Sequence, residues 1–386
     1  MTRRSNETVR MMEFFSGIGG MRCAVEQVIS TKTLLCRAFD IFDEANAVYR
    51  HNFRDDSVSV DFPTGVSTKL VEQLRPDDIP ASDLWTMSPP CQPFTTTRFA
   101  KQKDLDDRRT AGFQALLKLL CALPSDKRPR WIFLENVPGF LQSRARTFLH
   151  EHLKLAGYPS WSEFVLSPVD LGIPNQRTRY YIMTEFGSRR FDNHCSTCCE
   201  DLSPFLVSES SDIHSKKRKR ETSSFRRKLG SFVDKSLHQK SPRWNQFVLS
   251  DEILSKDWAR ELPIVRLSNE DNDNKEGSTR MTYCFTAGYG RQLHKSTGSI
   301  LFVPKEQSLS SSQEEQGRDN DSSMVERYSN QLRRFSPEEL LGLFGFPRNF
   351  AFPDSTGLEH RYRLVGNSIN LFVVSALLKE LLGGEA

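Results

Sequence analysis

Cys91 is the residue of this sequence best placed for covalent chemistry. It follows Pro89 and Pro90, precedes Gln92, and comes after the apolar run Leu84–Met87, which is typical of a buried strand. The prolines restrict the backbone beside the thiol. A cysteine held rigidly at the end of a strand is placed like a nucleophile. The alternative is a structural cysteine in a tight turn, since free cysteines are usually buried.

A glycine-rich loop, Ser16-Gly17-Ile18-Gly19-Gly20, follows the first apolar run and opens a helical pattern. Glycines let the backbone approach a ligand closely, and a helix N-terminus attracts an anion. Asp40 ends the next strand pattern, where a carboxylate can accept both hydroxyls of an adenosine ribose. The glycine spacing differs from that of dinucleotide-binding loops and suits S-adenosylmethionine better. A plain strand–helix turn and a helix-capping acid remain the alternatives.

Three further side chains join Cys91 if strand ends meet at one edge of a sheet. Glu135 follows the apolar run 131–134, and burial at such an edge would raise its pKa and let it act as an acid. Arg177 and Arg179 lie two residues apart on an extended segment, so they point the same way and suit a phosphate or a polarised carbonyl. Read singly, each is equally a surface residue.

Strand and helix patterns alternate through the first half of the chain, which predicts a mostly parallel sheet covered on both faces. Strands are expected at 11–15, 34–39, 84–87, 131–134 and 180–184, and helices at 20–29, 45–52, 110–120 and 143–155. Ser336-Pro337-Glu338-Glu339 has the pattern of a capped helix start. The apolar segment 367–382 is helical in period and should pack on the first domain.

These patterns predict an α/β fold: a Rossmann-like domain with a mostly parallel, doubly wound sheet, plus a smaller irregular domain. The first domain should span 9–188 and include the C-terminal segment 331–386, with the smaller domain at 189–330. A flexible Ser-, Lys- and Arg-rich insertion is expected near 205–243.

Composition permits a nucleic-acid partner without requiring one. The net charge is +4, the N-terminus has no apolar signal core, and no apolar run is long enough to span a bilayer. The eight cysteines show no framework spacing. We therefore expect an intracellular protein with free thiols and no membrane partner.

Taken in order, these motifs closely resemble the cytosine-C5 methyltransferase family. The resemblance includes Gly366-Asn367-Ser368 before the last helix and covers all but about 190–330. Within that gap, Cys284-Phe285-Thr286 resembles the marker of the branch called DNA methyltransferase 2, which methylates tRNA. The resemblance implies a monomer, in cytoplasm and nucleus, that acts on tRNA and possibly DNA, at cytosine 38 of an aspartate tRNA.

The resemblance also assigns roles. It implies that the first domain is an S-adenosylmethionine-dependent methyltransferase catalytic domain and that the smaller one is a target-recognition domain. The cofactor would be S-adenosyl-L-methionine, with S-adenosyl-L-homocysteine as product. Asp40 would hold its ribose and Ile41 and Pro63 its adenine, and the pocket would further include Phe15, Ser16, Ile18, Gly19, Gly20, Ser88, Asn367 and Ser368. The catalytic residues would be Cys91, Glu135, Arg177 and Arg179, and the substrate-binding residues Cys284, Phe285 and Thr286.

Residue types match that chemistry. A Cys91 thiolate would add to C6 of cytosine and activate C5, with Glu135 hydrogen-bonding N3. Nearby cations and N–H groups should lower the pKa of Cys91. The base must be flipped out or already unpaired. A DNA cytosine-C5 methyltransferase is the first alternative. A catalytically inactive nucleic-acid-binding protein and a nicotinamide oxidoreductase fit less well.

Three weaker signals lie outside this set. The basic run 216–228 has the composition of an import signal, an RNA-binding arm or a solvated segment. The segment 194–199 holds one C-x-x-C, and without a second one structural zinc is disfavoured. A loop over 95–109 is expected to close over the base, with Lys101, Lys103, Arg108 and Arg109 as possible phosphate contacts.

Overall fold

The chain folds around two β-sheets of different size. The computed structural model describes residues 8–29, 32–53, 62–95, 104–193, 195–196, 227–267, 281–294, 296–305 and 323–383. The larger sheet is built from the first half of the chain, and the smaller sheet from segments between residues 264 and 334.

The larger sheet has eight strands in the order β3-β2-β1-β4-β5-β7-β6-β8. The strands are β1 Thr8–Phe14, β2 Thr33–Phe39, β3 Gly65–Ser67, β4 Leu84–Met87, β5 Trp131–Asn136, β6 Trp161–Leu166, β7 Arg179–Glu185 and β8 Cys195–Ser196. Neighbours from β3 to β5 are parallel, whereas β7 runs antiparallel to both β5 and β6. The mostly parallel sheet predicted from the sequence is therefore confirmed.

Helices cover both faces of this sheet. They include α1 Gly20–Val28, α2 Asp43–Asn52, α3 Ala111–Ala122 and α4 Arg144–Leu155. Side chains of β1 alternate between two cores: Met11 packs with α1 and α2, and Met12 packs with α3 and α4. This arrangement confirms the doubly wound fold, and it brings the carboxyl ends of the parallel strands together at one edge.

The smaller sheet has the order β11-β10-β9. Its strands are β9 Ile264–Val265, β10 Ile300–Phe302 and β11 Leu332–Arg334, and the nearby helices are α5 Asp251–Leu254, α6 Met324–Tyr328 and α7 Pro337–Leu343. As predicted, Ser336 caps α7 by accepting a hydrogen bond from the Glu339 amide at 3.2 Å. The predicted boundary at residue 330 falls just before β11.

Part of the predicted flexible insertion is packed. Residues 205–226 lie outside the described part of the chain, but Leu229 and Leu237 are buried in the same core as α7. The part of the predicted flexible insertion that holds these two leucines is therefore packed. Leu229 and Leu237 contact an apolar core that the local Ser- and Lys-rich composition does not reveal.

The predicted helix over 367–382 is two helices. Asn367 ends α8, Leu358–Asn367, and α9 begins only at Leu371 and ends at Leu382. The break lets residues 368–370 face the edge of the larger sheet while α9 packs against α1. Leu358–Leu382 is also long and apolar enough to cross a membrane by length and composition, but 67% of its apolar window is buried inside the protein.

Candidate functional site

A cleft of about 1220 Å³ lies at the carboxyl ends of the parallel strands. It is lined by most of the residues that the sequence singled out: Phe15, Ser16, Ile18, Gly20, Asp40, Ile41, Ser88, Cys91, Glu135, Arg177, Arg179, Asn367 and Ser368. Residues more than 300 positions apart in the chain thus share one cavity. Gly19, Pro63 and the segment Cys284-Phe285-Thr286 do not line it.

The glycine loop turns sharply between β1 and α1. Phe15 and Gly17 both have positive φ, and the Ser16 amide donates to the Phe39 carbonyl at 3.0 Å. Gly19 also has a positive φ, of 88°, but a Cβ there would lie 2.2 Å from the Phe53 ring. A side chain at position 19 would therefore clash with the core. Gly17 lines the cleft and Gly19 does not, and the predicted contact of Gly19 with a cofactor stays a prediction.

Asp40 braces the loop from the end of β2. Its Oδ2 accepts the Gly17 amide and its Oδ1 accepts the Phe42 amide, each at 2.8 Å. A carboxylate oxygen can accept two hydrogen bonds, so both oxygens keep capacity for a ligand. Burial raises the pKa of Asp40, and the backbone amides oppose that rise.

Two apolar side chains stand exposed in the cleft. Ile41 is 65% exposed and Leu70 is 39% exposed, although both are large hydrophobic residues. Pro63, which was predicted to lie beside an adenine, is exposed and lies outside the cleft. Leu70, which follows the end of β3, lines the cleft, and the contact of Pro63 with an adenine stays a prediction.

Cys91 is held by backbone contacts on both sides. The Pro89 carbonyl accepts the Asn136 side-chain amide at 3.1 Å, and the Cys91 carbonyl accepts the Phe94 amide at 2.9 Å. Ser88 donates its hydroxyl to the Phe15 carbonyl at 3.0 Å. The cysteine turn is thereby fastened to the ends of β1 and β5.

The pKa of Cys91 is raised, not lowered as predicted. Burial is the main cause and the charge of Glu135 adds to it, while Arg179 and Arg177 act in the opposite direction. The prediction considered only the cations. In the folded chain the desolvation of the thiolate outweighs them.

Glu135 pairs with one of the two predicted arginines. Its Oε1 lies 3.3 Å from the Nε of Arg179, and both side chains are largely buried. Burial raises the pKa of Glu135, as the sequence predicted, and Arg179 and Arg177 oppose the shift. A carboxyl group with a raised pKa takes up a proton more readily than a solvent-exposed one, and once protonated it can donate that proton to a ligand.

Arg177 is occupied by the protein itself. Its guanidinium donates to the carbonyls of Phe285 at 2.9 Å, Gly366 at 3.2 Å and Ser368. It is 3% exposed but lines the cleft, and its buried Nε has no hydrogen-bond partner in the described part of the chain, so its contact with a phosphate or a polarised carbonyl stays a prediction. The acceptors come from two distant segments, and no local pattern could have revealed them.

The substrate-binding prediction for the marker tripeptide needs correction at Phe285. Its side chain is 0% exposed and packs against Tyr289 and Phe335. Cys284 lies beside Arg177 at 3.6 Å. Burial by itself raises the pKa of Cys284, but Arg177 and Arg179 outweigh it and the net shift is downward.

The weaker sequence signals are only partly covered by the structure. Lys101 and Lys103 lie outside the described residues, as do the side chains of 194–199 and most of the basic run 216–228. Arg108 and Arg109 line the cleft, and Arg109 pairs with Asp107 at 2.6 Å.

Several cleft residues were not anticipated from the sequence. They include Gly17, Lys69, Leu70, Glu72 and Arg363. Gly17 lay inside a recognised motif and could have been included. Lys69 to Glu72 follow β3, which has three residues and therefore no usable hydrophobic period.

Comparisons with known proteins agree with this site. The C-5 cytosine-specific DNA methylase family matches residues 9–383. The chain is 30% identical to the human tRNA (cytosine(38)-C(5))-methyltransferase, with 97% of this chain and 99% of the relative covered. It is 32% identical to the Schizosaccharomyces pombe protein of the same name, with 98% of each covered. The crystal structure of S. pombe Dnmt2 methyltransferase superposes with a TM-score of 0.72 at 28% identity, covering 97% of this chain and 99% of that one.

Proposed function

The chain belongs to the C-5 cytosine-specific DNA methylase family, and we propose that it methylates C5 of a cytosine in tRNA through a covalent adduct with Cys91. One observation carries the proposal: Cys91, Glu135 and Arg179 share a single cleft with the glycine loop and Asp40. A nucleophile, an acid and a cofactor pocket within one cavity are what a methyl transfer to a pyrimidine ring requires.

The pocket residues fit S-adenosylmethionine. Asp40 keeps acceptor capacity for two ribose hydroxyls, and the exposed side chains of Ile41 and Leu70 offer apolar faces to an adenine. The Ser16 hydroxyl is buried with no hydrogen-bond partner in the described structure, so a polar ligand group would satisfy it. When bound, this cofactor supplies an electrophilic methyl group on a positively charged sulfur.

Cys91 would start the reaction. Its thiolate adds to C6 of cytosine, and the electron pair of the C5–C6 double bond moves so that C5 becomes nucleophilic. Glu135 donates its proton, or a hydrogen bond, to N3 and stabilises the negative charge that develops on the ring. After C5 has taken the methyl group, a base removes the C5 proton and the Cys91–C6 bond breaks, which regenerates the thiolate.

Glu135 also links substrate binding to activation of the thiol. In the free protein the charge of Glu135 contributes to the raised pKa of Cys91. When Glu135 takes up a proton, which the Cys91 thiol or solvent supplies, and donates it in a hydrogen bond to N3 of the base, that contribution disappears, while Arg179 and Arg177 continue to favour the thiolate. Activation of Cys91 is then greatest with a cytosine in place, which limits unwanted reactions of a free thiolate.

We favour tRNA over DNA as the substrate because the human and S. pombe relatives, which align along almost the whole chain, are named for tRNA cytosine 38. The Dictyostelium discoideum relative, 30% identical over 97% of this chain, is named DNA (cytosine-5)-methyltransferase, which keeps DNA as the alternative substrate. A loop base is already unpaired, whereas extrusion from a duplex costs a few kcal/mol. Aspartate tRNA, a monomeric state and a cytoplasmic and nuclear location remain predictions from the family resemblance.

The test compares two substrates at matched salt. Purified protein is incubated with labelled S-adenosylmethionine and either unmodified tRNA or cytosine-containing duplex DNA, and bisulfite sequencing locates the product. We expect methyl transfer to tRNA to exceed transfer to DNA by at least about a hundredfold, the factor that a flipping cost of a few kcal/mol predicts. Faster transfer to duplex DNA would favour the DNA methyltransferase alternative.

A further inference from the structure

The segment Cys284-Phe285-Thr286 lies behind the cleft and not in it. Phe285 is fully buried between Tyr289 and Phe335, with ring centroids 4.9 and 5.4 Å away. The Thr286 amide donates to the Thr297 carbonyl at 3.1 Å. This part of the chain is therefore tightly packed, and the Phe285 side chain, which is 0% exposed, has no direct access to a substrate.

Arg177 connects this segment to the cofactor side of the cleft. One terminal nitrogen of its guanidinium donates to Phe285, and the other donates to Gly366 and Ser368. The planar guanidinium can donate hydrogen bonds to both segments at once. A lysine ammonium could not do so with the same geometry. The face of the guanidinium lies 5.0 Å from the Phe344 ring.

Gly366 gives a second, independent contact between the same two segments. A Cβ at this position would lie 2.3 Å from the Thr286 carbonyl carbon and 2.4 Å from the Ala287 amide nitrogen. The two backbones thus touch directly. Asn367 and Ser368, which follow, line the cleft, and Tyr362 of α8 donates to the Phe335 carbonyl at 2.7 Å.

We propose that Arg177 and the segment Cys284-Phe285-Thr286 are positioning elements that hold the turn Gly366-Asn367-Ser368 in the shape that binds the cofactor. This inference rests on the proposed function, since it takes the cleft to be a cofactor site. It assigns the marker tripeptide to the cofactor side of the reaction, whereas the sequence had suggested contact with the target nucleotide.

Calorimetric titration of the full chain with S-adenosylhomocysteine tests this assignment. Arg177→Lys keeps the positive charge but removes the guanidinium group that donates to both segments. Phe285→Leu weakens the packing of the segment Cys284-Phe285-Thr286 at a position that does not line the cleft. We expect each variant to bind S-adenosylhomocysteine about tenfold more weakly, equal to about 1.4 kcal/mol. Phe285→Leu keeps the experiment informative if Arg177→Lys does not fold.

Two controls separate positioning from general loss of stability. Arg190→Lys changes an arginine that does not line the cleft, donates to the Leu381 carbonyl and pairs with Glu185, and it should leave cofactor affinity within about twofold. Trp244→Phe removes a partly buried hydrogen bond to Asn330, of 2.6 Å, outside the cleft; it should lower the melting temperature with unchanged affinity.

Wild-type affinity in Phe285→Leu and Arg177→Lys would overturn the inference. A loss in Trp244→Phe as large as theirs, at equal loss of melting temperature, would also overturn it. If the wild-type protein itself does not bind S-adenosylhomocysteine, the proposed function fails and this inference fails with it.

Discussion

Cys91 lies close to buried side chains of opposite charge, and the reactivity of its thiol depends on which charge has the larger effect. Glu135 raises the pKa of the thiol, and Arg179 and Arg177 lower it. Replacement of Cys91 by alanine should reduce methyl transfer by at least about a thousandfold, because addition to C6 needs a nucleophile. S-adenosylhomocysteine should still bind with wild-type affinity by calorimetry. Measurable turnover near the wild-type rate would rule out the covalent mechanism.

Replacement of Glu135 gives a second prediction at the residue scale: Cys91 should become more reactive, while methyl transfer should become slower. In Glu135→Gln the negative charge beside the thiol is gone, so the pKa of Cys91 should fall and iodoacetamide should alkylate Cys91 faster at about pH 8. Methyl transfer should nevertheless fall about a hundredfold, since the proton donor to N3 is lost.

Peptide mass spectrometry, which follows Cys91 separately from the other cysteines, gives alkylation rates across pH. Arg179→Gln serves as the opposite control, because loss of a cation should raise the pKa of Cys91 further. Identical pH profiles for wild type and Glu135→Gln would contradict the electrostatic coupling between these two groups.

At the scale of elements, the turn between β2 and α2 carries much of the cofactor pocket. Asp40 joins this turn to the glycine loop through Gly17 and to α2 through Phe42. Asp40→Ala removes both braces and the ribose acceptors together. We expect the dissociation constant for S-adenosylhomocysteine to rise about tenfold to a hundredfold, as for the loss of hydrogen bonds to a charged group.

Asp43 provides the matched control. It is an exposed acid in the first turn of α2 that does not line the cleft. Asp43→Ala should leave the affinity unchanged. Equal affinities of Asp40→Ala and wild type in calorimetry would refute the ribose assignment.

At the scale of the whole molecule, the cleft is assembled from both ends of the chain. The loop 15–20 and the segment 363–369 line the same cavity, and α9 packs against α1. A ligand in this cavity should therefore stabilise both segments at once. Hydrogen exchange measured by mass spectrometry should slow in both when S-adenosylhomocysteine is added.

Helix α4, on the opposite face of the sheet from α1 and α9, is the internal reference for that experiment. Its exchange should change little on ligand addition, because its core residues Leu149 and Leu153 belong to the other apolar cluster. Protection confined to the N-terminal loop would show that the C-terminal segment does not contribute to binding.

The sequence by itself determined the chemistry and the framework of this protein. Cys91, Glu135, Asp40 and the glycine loop were identifiable because residue type and local strand-end position decide which groups can react. Strand β4 was predicted to the residue and β2 to within one residue, since most of their residues are apolar. Strand β3 escaped notice because three residues carry no period.

Only the tertiary structure decided the pKa shifts of these groups and the contacts that hold them in place. The raised pKa of Cys91 follows from burial, which depends on the whole fold. The packing of Gly19 against Phe53 and the place of Leu70 in the cleft depend on contacts between segments distant in the chain. The engagement of Arg177 with Phe285 and Ser368 joins segments more than 80 residues apart. Sequence patterns record short-range periodicity and residue chemistry, whereas desolvation and long-range packing arise only when distant segments are brought into contact.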